Sequence, residues 1–180
     1  MSSPDSDPRI AAQLAIVDEH IRLENAHDID GIMATFGAAA RYDDEAWNGH
    51  YQGRDGVRSY YQTLLNAMPD LKIDVKRRFA CDEAVVVEVV ISGHHEGLWR
   101  GLPPTGRAIE FPLCGIFEFD AEDRLAGERI YYDRAVVLRQ LGIFHEPDSP
   151  VGRAEAALMH PLTIAQILRR LMSQRLKMDS

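Results

Sequence analysis

An α+β fold is predicted for this 180-residue sequence, because helical and strand-like hydrophobic periods occupy separate parts of the chain. Up to Pro69, apolar residues recur every three or four positions, which is typical of amphipathic helices. From Leu71 to Tyr131, apolar and polar residues mostly alternate, which is typical of strands. Short turn-like segments separate these strands, so we expect neighbouring strands to pair antiparallel.

Three helices are predicted in the first part of the chain. The first covers RIAAQLAIVDEHIRLENA, and Asp28 is suited to cap a short second helix, IDGIMATF. A third helix is predicted over residues 57–68 and ends before Pro69. Between the second and third helices we expect a short strand in AAARYDDEAW and a loop in NGHYQG.

Four strands and a short helix are predicted after Asp70. The strands are LKIDVKRRFA, EAVVVEVVISGHH, RAIEFPLCGIFEF and RLAGERIYYD, and the helix is RAVVLRQLG. A strongly curved antiparallel sheet that wraps around the N-terminal helices forms a cone, and the mouth of such a cone is a natural small-molecule pocket.

The chain is expected to contain three regions. Residues 1–8 are polar and predict a disordered tail, and residues 9–144 form the cone domain. Residues 145–180 begin with the linker-like EPDSPVGR and continue as an amphipathic helix with a basic end. The apolar stripe of that helix must cover the body of the same chain or a partner.

Composition argues against several classes of function. The net charge of −8 argues against binding nucleic-acid phosphates, and no apolar run approaches the roughly 18 residues of a membrane span. Cys81 and Cys114 lie in apolar stretches without a CxxC pattern, which predicts reduced core thiols. The N-terminus lacks the pattern of a signal peptide, so we expect a soluble cytoplasmic protein.

Several ordered segments between Ala12 and Gly142 resemble those of the SnoaL-like polyketide cyclases, which belong to the nuclear-transport-factor-2-like superfamily of α+β cones. The most distinctive is GHHEGLWRGLPPTGRAIEF, which is similar to the family signature G-T-H-x-G…G-x-x-P-T-G-[KR]-x-[VI]-x-F. Here His94 stands where threonine is usual. The other segments are NAHDIDGIMATF, YQGRDGVRSYY, AMPDLKIDV and RIYYDRAVVLRQLG.

The resemblance implies an enzyme that closes a polyketide ring by intramolecular aldol condensation, without a metal or an organic cofactor. The acid/base aspartate of the family corresponds to Asp133, and its pocket histidine corresponds to His95. We therefore expect aldol ring closure or isomerisation of a small hydrophobic ketone, in a protein that forms a homodimer. The alternatives are a non-catalytic small-molecule-binding protein of the same fold and a hydrolase or dehydratase on this scaffold.

The residues around Asp133 leave two roles open. An aldol closure needs a carbon-bound proton removed and an oxyanion protonated, and one carboxyl group with a raised pKa can do both. In a regular strand, Asp133 would share a face with Leu125, Arg129 and Tyr131. Asp133 also directly precedes a helix and is suited to cap it, whereas a salt bridge with Arg129 or Arg134 is the weakest of the three interpretations.

Five further residues are expected to contact the substrate. They are Tyr131, Trp99, Asp44, Phe111 and Tyr61.

Strand alternation places His95 on the apolar face of its strand and His94 on the opposite face, so the pair cannot hold one ion from one side. We therefore predict no metal site.

Two other polar groups are interpreted as structural. The run Asp43, Asp44 and Glu45 is first of all a solvated loop, although one of its members can still line the mouth of the cone. His20, Glu24 and His27 fall along one side of the first helix, where a surface position or a contact between helix and sheet is the usual outcome.

Overall fold

The computed structural model describes residues 8–81 and 83–178, with side chains described as far as residue 174. Of the predicted disordered tail, residues 1–7 lie outside the described residues, and Pro8 begins the first helix. The chain divides into two compact units, the first ending at Leu141 and the second beginning at Gly142.

The first unit has the predicted order of helices followed by strands. Its elements are α1 (Pro8–Asn25), α2 (Ile29–Thr35), β1 (Arg41–Asp44), a 3₁₀ turn (Glu45–Trp47), β2 (Gly49–Gln52), α3 (Gly53–Ala67), β3 (Lys72–Ala80), β4 (Ala84–His94), β5 (Ala108–Phe119), β6 (Leu125–Tyr131) and α4 (Arg134–Gln140). The α+β fold class is therefore confirmed. The segment NGHYQG is not wholly loop, because its four central residues, Gly49–Gln52, form β2 and pair with β1.

The strands form one curled sheet in the order β2-β1-β6-β5-β4-β3. The three pairings among β3, β4, β5 and β6 are antiparallel as predicted. β1 also pairs antiparallel with β2, which was not predicted, and in parallel with β6. The parallel pairing brings β1, which follows the N-terminal helices, beside the last strand. One hydrophobic core joins the helices to the sheet, and Val17, Val57 and Val85 are completely buried in it.

A β-bulge near Ala126 changes which side chains of β6 face the core. In the register with β5, Glu118 pairs with Gly127 but Phe119 already pairs with Leu125. The extra residue shifts the side-chain alternation, so residues 125 and 128 are both buried and residue 131 is exposed. The prediction that residue 125 shares a face with residues 129, 131 and 133 is therefore wrong.

The second unit contains two helices, α5 (Pro150–Met159) and α6 (Pro161–Met178), where one was predicted. Ser149 caps α5 by accepting a hydrogen bond from the backbone of Gly152, so helix already begins within the predicted linker. Pro161 separates the helices, because proline is tolerated in a first helical turn but not in a helix interior. Across the described residues, we find no helix that combines the length and apolar character of a membrane span.

The cysteines are free thiols, but they are not core residues. Cys81 is exposed at the end of β3, and Cys114 is partly buried on β5. The prediction of core positions is therefore wrong, because each apolar stretch places these side chains away from the buried face.

Candidate active site

An apolar cavity of about 50 Å³ lies inside the first unit, between the helices and the sheet. Most of its lining is aliphatic or aromatic, and its carboxyl groups belong to Glu24 of α1 and Glu128 of β6. Four tyrosines also contribute to the lining, namely Tyr42, Tyr60, Tyr61 and Tyr132. Such an apolar wall with few polar groups is typical of a small-molecule site.

The polar side of this cavity is a buried group of four side chains, which we call the His20 cluster: His20, Glu24, Tyr61 and Glu128. None of the four is more than 6% exposed. The Tyr61 hydroxyl lies 2.9 Å from Oε1 of Glu24, 2.8 Å from Oε2 of Glu128 and 3.0 Å from Nε2 of His20. The same imidazole nitrogen lies 3.6 Å from the Glu24 oxygen and 3.4 Å from the Glu128 oxygen.

Local structure explains how these groups meet. His20 and Glu24 are four residues apart on α1, so both point to the side that the helix buries. The Thr35 hydroxyl donates to the carbonyl of Ile32, at 2.7 Å, and therefore accepts from Nδ1 of His20, also at 2.7 Å. This contact leaves Nε2 of the imidazole facing the carboxyl groups.

The cluster holds more protons than isolated side chains would at neutral pH. Burial alone would lower the pKa of His20, but the neighbouring carboxylates of Glu24 and Glu128 raise this pKa to about 10. Burial raises the pKa of Glu128, and the charge of Glu24 adds to that effect. The Tyr61 hydroxyl has one hydrogen but lies within 2.9 Å of two carboxyl groups. The hydroxyl can donate to only one of these groups, and a proton on the other carboxyl group would satisfy the second contact.

A second buried carboxyl group belongs to Asp44, at the end of β1. Its Oδ2 atom accepts from the Arg100 guanidinium, and its Oδ1 atom is buried without a hydrogen-bond partner among the described residues. Burial raises the pKa of Asp44, and the charge of Arg100 opposes the increase. Burial and the nearby Asp44 carboxylate raise the pKa of the Tyr132 phenol, and Tyr132 is a residue that lines the cavity.

Aromatic and cationic side chains surround this aspartate. Arg100 and Arg134 both lie over the Trp47 ring, 5.5 Å and 5.6 Å from its centroid. Trp47 packs edge-to-face on Trp99, at 5.5 Å, and Trp99 is part of the cavity wall. Asp44 is therefore separated from the cavity by single layers of aromatic side chains.

The predicted substrate-contacting residues occupy different positions. Tyr61, Trp99 and Phe111 lie in the cavity lining, whereas Asp44 lies behind it. Tyr131 is 45% exposed, and the bulge in β6 gives the neighbouring Tyr132 the place in the wall. Substrate contact itself stays a prediction for all five.

His95 is completely buried just after β4. Its Nδ1 atom lies 3.2 Å from the Thr105 hydroxyl, and its Nε2 atom has no hydrogen-bond partner among the described residues. Burial lowers the pKa of this imidazole, so it is neutral at pH 7. No described hydrogen bond connects His95 with Asp133, and the predicted cooperation of these two residues stays a prediction.

Asp133 is exposed and caps α4. Its Oδ1 atom accepts a hydrogen bond from the backbone N–H of Ala135, at 2.8 Å. The capping interpretation is therefore confirmed. Asp133 is not among the residues that line the cavity, and its acid/base role stays a prediction.

The cap of α4 makes a measurable contribution to stability. Asp133→Ala should lower the free energy of unfolding by about 1 kcal/mol, because an orphaned N–H at the helix start loses its acceptor. Asp133→Asn should cost much less, because the asparagine side chain caps about as well. Urea unfolding of both variants measures the difference, and equal stability of the alanine variant and the wild type would contradict it.

Sequence reasoning missed the His20 cluster. A signal was present, because residues 13, 17, 20, 21 and 24 share one helical face and three of them are polar. Polar side chains on the buried stripe of a helix need partners inside the protein. The position of Glu128 gave no such signal, because the bulge at Ala126 reverses the alternation that a regular strand would have.

Comparison with known proteins supports the same fold. Comparison with curated proteins gave no match. A crystal structure of a SnoaL-like polyketide cyclase candidate from Jannaschia sp. CCS1 is 18% identical, with a TM-score of 0.72, and the match covers 79% of this chain and 100% of that one. IdmH from Streptomyces antibioticus, a candidate polyketide cyclase, is 21% identical, with a TM-score of 0.61 and coverage of 72% and 98%.

AclR from Streptomyces galilaeus, a candidate hydroxylase, is 20% identical, with a TM-score of 0.66 and coverage of 76% and 99%. At these identities, the structural matches establish the fold but not the reaction. The sequence model of the SnoaL-like polyketide cyclases matches residues 15–141, which is most of the chain and all of the cavity lining. This chain belongs to the SnoaL-like polyketide cyclase family.

Proposed function

We propose that this protein transfers a proton at a carbon next to a carbonyl group of a small hydrophobic ketone. The product is a ring closed by intramolecular aldol addition, or an isomer of the substrate. The apolar cavity receives the reacting part of the molecule, and Asp44 serves as the base after the aromatic side chains that separate it from the cavity move aside. The small volume of the cavity limits this part to a compact group unless side chains move.

The feature that carries this function is the carboxyl group of Asp44. It is 1% exposed, and it keeps Oδ1 free of described hydrogen bonds. Because burial raises its pKa, this carboxylate is a stronger base than a solvated one. The Arg100 contact holds the other oxygen and fixes the orientation of the group.

The proton balance of the aldol reaction needs one carboxyl group. The Asp44 carboxylate takes the proton from the carbon and leaves an enolate, whose carbon then attacks the second carbonyl of the same molecule. The new alkoxide takes the proton back from Asp44, so the base is regenerated. In an isomerisation, the proton returns to a different carbon.

Tyr132 is placed to assist with the developing oxyanion. Burial and the neighbouring Asp44 carboxylate raise the pKa of this phenol, so the hydroxyl stays protonated and remains a hydrogen-bond donor. A donor aimed at a developing oxyanion in an apolar site stabilises the transition state more than it would in water.

The test measures hydrogen–deuterium exchange at carbon in a model diketone, so it does not require the natural substrate. In D₂O, the wild type should accelerate the loss of the C–H proton between the carbonyl groups of a compact hydrophobic 1,3-diketone, followed by NMR. Asp44→Asn should lower this acceleration by about 10²–10⁴-fold, which is the usual contribution of a positioned acid/base group. Asp133→Asn is the matched comparison, because it removes the carboxylate but keeps the helix cap.

Each outcome has a distinct meaning. Loss of exchange in Asp133→Asn, with full exchange in Asp44→Asn, would transfer the acid/base role to Asp133, as the family resemblance implies. If the diketone binds to the wild type without accelerated exchange, the protein is a binding module of the same fold instead.

A further inference from the structure

We infer that the His20 cluster is a binding site for one divalent first-row transition-metal ion. The donors are Nε2 of His20 and one carboxyl oxygen each from Glu24 and Glu128, and they all lie within 4.8 Å of one another. The Tyr61 hydroxyl lies within 3.0 Å of each of these three atoms.

The spacing of the donor atoms fits a small ion. A metal with bonds of about 2.0–2.1 Å separates tetrahedral neighbours by roughly 3.3 Å. In the cluster, the imidazole nitrogen lies 3.4 Å from the Glu128 oxygen and 3.6 Å from the Glu24 oxygen. The two carboxyl oxygens lie within 4.8 Å of each other, so a movement that brings them closer would place an ion at bonding distance from all three donors.

The imidazole has the orientation of a metal ligand. Histidines that bind metals usually donate their second ring N–H to an oxygen, which fixes the tautomer. Here Nδ1 of His20 donates to the Thr35 hydroxyl at 2.7 Å, so Nε2 is the nitrogen that faces the carboxyl groups. Phe36 and Phe117 pack edge-on against the ring, with centroids 5.3 Å and 5.6 Å away, and restrict its rotation.

The charge of the cluster also fits a dication. With a neutral imidazole, the two buried carboxylates carry a charge of −2, which a buried site must compensate. In the metal-free protein, protons on His20 and on one carboxyl group provide this compensation. A single divalent ion would replace both protons and leave the site neutral.

The cavity provides a route to the site. Glu24, Tyr61 and Glu128 belong to its lining, so an ion that enters the cavity meets three of the four side chains. A donor set of one imidazole nitrogen and carboxyl oxygens suits Zn²⁺, Mn²⁺ or Fe²⁺, whereas Mg²⁺ and Ca²⁺ prefer oxygen alone. Because Asp44 is not a donor in this site, the inference does not depend on the proposed function.

The experiment uses the full chain, stripped with a chelator and then dialysed at pH 8. Calorimetric titration with Zn²⁺ should show one tight site per chain, and Co²⁺ should give the visible absorption of a four-coordinate ion. His20→Gln should abolish both signals. His95→Gln removes another completely buried histidine and should leave them unchanged.

Two further variants keep the inference testable if His20→Gln does not fold. Glu128→Gln preserves the size of the side chain and should also abolish the tight site. Thr35→Val removes only the contact that orients the imidazole, and it should weaken Zn²⁺ binding by about 10–100-fold. Zn²⁺ binding that is equal in the wild type and in folded Glu128→Gln, or absent from the folded wild type, would overturn the inference.

Discussion

Replacing His20 by leucine should lower the free energy of unfolding at pH 7 by about 3–5 kcal/mol, the usual cost of removing one partner from a buried ion pair. The imidazolium is completely buried, and Glu24 and Glu128 lie beside it. Without the cation, the two carboxyl groups must both be protonated or remain charged in an apolar site, and either state destabilises the fold.

A compensating variant separates this electrostatic cost from the loss of packing. Adding Glu24→Gln and Glu128→Gln to His20→Leu removes the uncompensated charge, so a large part of the stability should return. Buried ion pairs can be replaced by neutral groups without loss when the packing is preserved. Urea unfolding of the single and triple variants, in the presence of a chelator, gives both free energies.

His95→Leu is the matched control for the same substitution at a second buried histidine. His95 has the Thr105 hydroxyl as its described side-chain partner, and burial lowers its pKa, so it is neutral at pH 7. Its loss should cost about 1–3 kcal/mol, as expected for an unsatisfied polar group. If both histidine variants lose the same stability, or if the triple variant recovers none, the buried imidazolium is not what stabilises the cluster.

Sequence periodicity was sufficient for most of the fold. Alternation in LKIDVKRRFA and RAIEFPLCGIFEF and the apolar run in EAVVVEVVISGHH predict three long strands, and each of them forms. The parallel pairing of β1 with β6 could not be predicted from the sequence, because it joins distant segments and β1 is only four residues long. Such a short strand owes its conformation to its neighbours more than to its own residues.

The site was only partly predictable, for two physical reasons. Phe111, which strand alternation placed on an apolar face, and Trp99, which was predicted as a pocket wall, do line the cavity. However, one extra residue at Ala126 exchanges the faces of β6, which turns Glu128 inward and Tyr131 outward. A bulge of this kind leaves no mark on hydrophobic alternation, because the residues around it are mixed in polarity.

The stability of the protein should fall as the pH rises from 6.5 towards 10. The pKa of His20 is about 10 in the folded protein and about 6.5 when the side chain is unfolded. Because the folded pKa is the higher one, the stabilisation is complete below pH 6.5 and is lost as the pH rises through 10. One proton of difference corresponds to roughly 1.4 kcal/mol per pH unit within this window.

Between pH 6.5 and 10, each group that faces the imidazole either adds to the decrease in stability with rising pH or does not change its charge. Glu24 on α1 and Glu128 on β6 raise the pKa of His20, whereas Tyr61 and Thr35 contribute hydroxyl groups that stay protonated. The pKa of Glu128 is also raised, so its own contribution begins to fall above about pH 4.5, again with stability decreasing as pH increases.

Urea unfolding of the metal-free protein at several pH values between 6.5 and 9.5 measures this slope. The triple variant, in which His20, Glu24 and Glu128 are all replaced, should be nearly independent of pH in the same range, whatever its absolute stability. His94 also has a raised pKa, caused by its hydrogen bond to Asp70, but this pair is exposed. The His94→Gln variant should therefore keep most of the wild-type slope. If His94→Gln abolishes the slope and the triple variant preserves it, the proton that stabilises the fold lies at the surface and not in the buried cluster.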